Sequence, residues 1–163
     1  MTFSNIVLVG ATTCTALMAG LLFSYSCSVV LGLKKLPDQE YIMAMQAINR
    51  AIQNPVFFIV FMGCLVLLPL CTYLNYSIPP SRQFWLLLGT TLLYFVGVFG
   101  ITAIGNIPLN DTLEKFNLLN ASKEAISSQR ALFETRWNNL NLLRTIASIG
   151  SLVLLIIACI NSY

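Results

Sequence analysis

Residues 55–74 read PVFFIVFMGCLVLLPLCTYL, a stretch with no charged side chain. A charge placed in hydrocarbon costs at least about 3 kcal/mol, so a run of this kind predicts a helix that crosses a membrane. The same pattern repeats on either side of it. Residues 1–33 carry no charge, the run from Gln83 to Asn110 carries none, and neither does Thr145–Tyr163. The charged residues are gathered in Lys34–Arg50 and Asp111–Arg144, with Arg82 alone between them. Spans are therefore expected at about 6–31, 55–74, 84–107 and 145–159. The expected fold is all-α, a four-helix transmembrane bundle forming a single domain over residues 1–163.

Composition points the same way. The 163-residue chain is 57% hydrophobic and 9% charged, far from the usage of soluble domains. Its net charge of +3 comes from basic residues mixed with acids, which gives no basic stripe for nucleic acid. With no histidine, the common zinc, non-haem iron and bis-histidine haem sites cannot be built. Cys14, Cys27, Cys64, Cys71 and Cys159 show no CxxC spacing and are expected to be small packing residues. Neither a metal nor another cofactor is expected. The N-terminus has no basic leader, and its apolar run outlasts a signal peptide, so it is expected to be a retained first span.

The connections carry most of the local signals. Thr12, Ala16, Gly20, Ser24, Ser28 and Gly32 recur every fourth position in span one, a stripe that predicts close approach of another helix. The alternative for the stripe is a narrow groove for a flat ligand; membrane lipid, a second copy of the chain in a homo-oligomer or another membrane protein are the expected partners of the bundle as a whole. Residues 39–53 predict a short amphipathic helix, with Tyr41, Met45, Ile48 and Ile52 on the apolar face and Gln46, Asn49, Arg50 and Gln53 opposite. Asn54-Pro55 is a helix start, and Pro69 predicts a kink. Pro108 is expected to end or bend span three between Asn106 and Asn110, and Asp111-Thr112-Leu113-Glu114 to cap a new short helix. A last helix should begin near Asn120–Ser122 and run unbroken into span four, as a helical extension. The excess of lysine and arginine places 34–54 and 108–144 in the cytoplasm and the termini outside.

This topology carries polar groups to one membrane face. Gln46, Asn49 and Tyr41 come from the first loop, Asn106 and Asn110 from the end of span three, and Glu134, Trp137, Asn138, Asn141 and Arg144 from the last helix. Amides and a guanidinium at bilayer depth need partners and so are expected to face the interior, where they could line a pocket. Capping, snorkelling and local ion pairing account for any one of them equally well.

Several stretches together carry a resemblance: 32–38 (GLKKLPD), 45–50 (MQAINR) with Asn54-Pro55, 97–100 (GVFG) leading to 106–110 (NIPLN), and Arg136-Trp137 with Asn141 and Arg144-Thr145. In order and spacing they resemble the anthrone-oxygenase-like family of small four-span membrane proteins. The resemblance implies a cofactor-independent oxygenase acting on a planar aromatic, polyketide-type small molecule with molecular oxygen. Arg144, Asn141 and Asn106 would hold the substrate anion, Glu134 would act as base, and Trp137 and Tyr41 would stack on the ring. Gln46, Asn49, Asn110 and Asn138 complete the expected binding residues. A non-catalytic scaffold, a subunit, or a lipid- or quinone-binding protein is the alternative.

Overall fold

The computed structural model describes residues 2–160. Among them, the chain forms helices α1 (Phe3–Leu33), α2 (Asp38–Ala51), α3 (Pro55–Leu74), α4 (Arg82–Glu114) and α5 (Lys123–Ile160). All but α2 are long and apolar enough to cross a membrane. Side chains start them as the sequence suggests. Asn54 accepts the Phe57 N–H with Pro55 in the first turn, Ser81 accepts that of Phe84, and Ser122 that of Ala125. A single 3₁₀ turn, Leu118–Asn120, separates α4 from α5.

The four long helices pack as a bundle in which α4 lies along α5, α1 touches both α3 and α5, and α3 touches α4. Ala11, Cys64, Leu68, Tyr94, Val98 and Leu155 fill the core at the end away from α2. Outward-facing Ile59, Val66, Val96, Ile104 and Ile146 are exposed and apolar, the surface a lipid solvent requires. Exposed Tyr73, Tyr76 and Trp85 gather around the α3–α4 connection, where an aromatic belt would meet headgroups. The α4–α5 contact is made possible by glycine. A Cβ at Gly97 would lie 2.5 Å from the Ala147 Cβ, and one at Gly105 would lie 2.9 Å from Leu140.

The structure corrects several local expectations. The small-residue stripe of α1 does not pack inside the bundle: Ala16, Gly20, Ser24, Ser28 and Gly32 face outward, and the buried face is Val7, Ala11, Thr15, Met18 and Leu22. Pro108 neither ends α4 nor starts a separate helix. Wide π-helical turns over Phe95–Gly100 and Thr102–Asn106 precede it, and the Ile107 N–H already bonds five residues back to the Thr102 carbonyl. The proline's missing donor is therefore absorbed in an irregular stretch. Asp111–Glu114 is consequently the last turn of α4, not a capping box.

α2 is rotated from the expected orientation. Its buried residues are Tyr41, Ile42, Met45 and Asn49, so Asn49 leaves the expected polar stripe and points inward, as its expected place among the pocket residues requires. Polar groups hold α2 in that pose. Gln46 Nε2 donates to the carbonyls of Leu113 (2.8 Å) and Phe116 (3.1 Å), which would otherwise be orphaned at the end of α4. Arg130 binds Glu134 (2.7 Å), Asp38 (3.0 Å) and the Leu36 and Lys34 carbonyls, with its guanidinium 4.4 Å from the Tyr41 ring centre. Burial, followed by the negative charge of Glu134, raises the Tyr41 phenol above its ordinary range, so the ring stays neutral beneath the cation.

Two outcomes follow. Gly97→Leu should overpack α4 against α5 and cost about 1–3 kcal/mol, read as a lower Tm in detergent, while Gly20→Ala, with nothing within 4 Å, should leave Tm unchanged. Arg130→Ala should free α2, costing about 2 kcal/mol and raising hydrogen exchange across residues 38–51 but not within α3.

Candidate functional site

α4 leaves the bundle core as α5 enters it, so their polar residues face each other in reverse order. At the outer level Trp137 Nε1 donates to Asn110 Oδ1 (2.8 Å), and at the inner level Arg144 Nη1 donates to Thr102 Oγ1 (3.1 Å). Asn106 lies between, about 6 Å along the helix from either neighbour by the 1.5 Å rise. The matching residue on α5, Asn141, does not meet it. Asn141 Oδ1 accepts from Arg144 Nη2 (2.8 Å), and its Nδ2 donates to Ser26 Oγ (2.8 Å) on α1. Ser26 Oγ is 2.8 Å from Thr145 Oγ1, which also contacts the Leu22 carbonyl at 3.1 Å. This network fixes the guanidinium from behind and leaves the middle level open.

The open level borders a cavity of about 310 Å³, at the lower end of the roughly 300–1,000 Å³ range typical of small-molecule sites. Arg144, Asn141, Asn106 and Asn49 bring polar groups to its wall. Phe57, Phe61 and Phe99 supply aromatic surface, with Phe57 and Phe61 stacked at 5.3 Å, and Tyr25 and Trp137 meet at 5.1 Å. Three polar groups on this lining lack a partner among the described residues. They are both ends of the Asn106 amide, the Asn49 Nδ2 and the Arg144 Nε. Arg144 is 9% exposed, and among the described residues no carboxylate pairs with it. Its 5.6 Å approach to the Trp137 ring offsets only part of the charge. An uncompensated buried cation beside unsatisfied amides costs several kcal/mol, which an anionic or oxygen-rich ligand would recover.

Wide turns shape this wall on both sides. The π-turn Tyr25–Val29 carries Tyr25 and Ser26, and the π-turn Thr102–Asn106 carries Thr102 and Asn106. Such turns frequently mark functional sites. Tyr25 is held by a bond from its hydroxyl to Met45 Sδ (3.2 Å), which also ties α1 to α2.

Of the residues expected from sequence, Arg144, Asn141, Asn106, Asn110, Asn49 and Trp137 share this cavity. Glu134, Tyr41, Gln46 and Asn138 are not on its lining. Glu134 and Tyr41 belong to the Arg130 cluster, and Gln46 closes the end of α4. The carboxylate on the lining is Asp111, at the exposed rim. Tyr25, Ser26 and Thr102 went unforeseen because they sit inside charge-free runs without periodicity. The one available hint was Thr102 standing four residues before Asn106. Among the described residues no three His, Cys, Asp or Glu side chains gather to hold a metal ion.

No curated protein and no solved structure matches the chain. The sequence does match the anthrone oxygenase family over residues 57–154, a segment that runs from α3 into α5 and includes Thr102, Asn106, Asn141 and Arg144. That match spans more than half of the chain, and the protein belongs to the anthrone oxygenase family.

Proposed function

We propose that the cavity binds a planar, weakly acidic aromatic molecule as its anion and oxidises it with molecular oxygen, without a cofactor. The observation that carries this reading is the buried Arg144 guanidinium, paired with no carboxylate among the described residues and bordering an aromatic-lined space. The bound ring system lies against Phe57, Phe61 and Trp137, its oxyanion meets Arg144, and a second oxygen fills the open level at Asn106. Asn141 is a positioning residue, since both ends of its amide are already bonded within the protein.

The chemistry asks little more. Loss of one benzylic proton, taken by the Asp111 carboxylate or by water at the rim, gives an electron-rich anion. That anion reduces oxygen and forms a carbon–oxygen bond, and protonation gives the hydroperoxide. Breaking the remaining benzylic C–H and the O–O bond then leaves a carbonyl and one water, so each substrate consumes one O₂. Arg144 and Asn106 lower the barrier by holding preorganised donors where the negative charge develops. Asp111 replaces Glu134 as the base because Glu134 is committed to Arg130.

A binding protein without turnover would use the same lining, and one experiment separates the two. Purified protein is given 1,8-dihydroxyanthrone, and oxygen uptake and quinone absorbance are followed against buffer autoxidation. Wild type should accelerate both in a one-to-one ratio. Arg144→Met should keep its Tm, having no acid to strand, yet lose turnover and bind 1,8-dihydroxyanthraquinone at least about tenfold more weakly, roughly 1.4 kcal/mol. Asn106→Leu should weaken binding less and also preserve Tm. Equal turnover and affinity in wild type and Arg144→Met would remove the assignment, and tight binding by wild type with no acceleration would leave only the binding role.

A further inference from the structure

The walls of the cavity differ in what lies behind them. Along α1 and α3, contact is tight at the level of Cys14 and Gly63, where an added Cβ would sit 3.3 Å from the Cys14 sulfur. Nearer α2, Leu21, Phe58 and Met62 line the cavity and are themselves 39%, 43% and 44% exposed. Phe58 and Met62 lie four and eight residues past Asn54, about 6 and 12 Å along the helix axis, and Leu21 lies about 20 Å before Lys34. These depths of about 6 to 20 Å lie inside an apolar zone about 30 Å thick, so an opening at this level faces hydrocarbon. The polar end of the cavity differs, because exposed Gln53 and Asp111 border it there.

We propose that the ligand enters from the bilayer, through a lateral window between α1 and α3 framed by Leu21, Phe58 and Met62. This rests on the ligand reading given above and extends it. A weakly acidic aromatic molecule dissolves in hydrocarbon in its neutral form and not as its anion. The window admits that neutral form, and ionisation takes place inside, against Arg144. The released proton leaves by the opposite route, past Asp111 to the polar rim. The apolar window and the polar mouth therefore divide the traffic by charge. The occupant is a membrane-partitioned, neutral, ring-sized acid, in keeping with a cavity of about 310 Å³.

The test uses full-length protein in phosphatidylcholine vesicles with 1,8-dihydroxyanthraquinone as probe. Association is followed by quenching of Trp137 fluorescence in a Trp85→Phe background, since Trp85 lies outside the cavity lining. Leu21→Phe/Met62→Phe narrows the window and should slow association and dissociation severalfold together. Phe58→Ala widens it and should speed both. Leu17→Phe, outward on α1 and off the lining, is the matched control. Rates unchanged by both narrowing and widening, with Kd intact, overturn the window alone. Rates slowed only by Gln53→Phe at the polar rim do the same. Absence of any quenching in the Trp85→Phe protein overturns the window and the ligand reading together.

Discussion

A guanidinium inside an apolar bundle, with no carboxylate among the described residues paired to it, constrains everything around it. Arg144 can stay there only because Thr102, Asn141 and the Trp137 ring each carry a share of its solvation. Those partners come from α4, from α5 itself and, through Ser26, from α1. The three helices must therefore meet at one depth. Gly97 and Gly105 allow this on either side of Thr102, the first by admitting the Ala147 Cβ and backbone, the second by admitting the Leu140 side chain. The remaining deficit among the described residues, the Arg144 Nε, the whole Asn106 amide and the Asn49 Nδ2, lies on the cavity lining. A bundle built for stability alone would have replaced these groups with hydrocarbon.

The other charged cluster does different work. Arg130 is saturated, with two carboxylates, two carbonyls and a ring in contact. It secures α2 across the end of the cavity, so that Asn49 and Ile48 become part of its wall. The two arginines stand fourteen residues apart on one continuous helix (Lys123–Ile160), and the difference between them is their set of partners. One is structural because its neighbours complete it. The other is a candidate for function because they do not.

The fold was legible because charge is so expensive in hydrocarbon that its absence over long runs leaves few alternatives. The caps were legible for a similar reason, as Asn54-Pro55 and Ser122 have specific backbone donors to satisfy. The site was only half legible. Asn106, Asn110, Asn141 and Arg144 are conspicuous as polar residues among apolar ones, and the antiparallel run of α4 and α5 brings them together. Glu134 shares a helical stripe with Asn138 and Asn141, yet the capture of its carboxylate by Arg130, one turn away, depends on where Asp38 and the Leu36 carbonyl fall. Asn49 turned inward because Tyr41 and Met45 set the rotation of α2, and one residue of helical phase decides between cavity and water. Tyr25 and Thr102 were hidden for another reason. In a membrane bundle both faces of a helix are apolar, so hydropathy carries no phase.

The π-turns give this site a distinct origin in sequence register. Each holds, in effect, one residue more than an α-helix of the same span would need. Deleting a single residue from Phe95–Gly100 would rotate the rest of α4 by about 100° relative to the half that precedes it. Thr102 and Asn106 would swing off the wall together, while the hydropathy of the helix hardly changed. Length variation at that point would thus dismantle the polar wall of the cavity without touching a polar residue. For this wall, the spacing between the glycines and Asn106 matters as much as the presence of either.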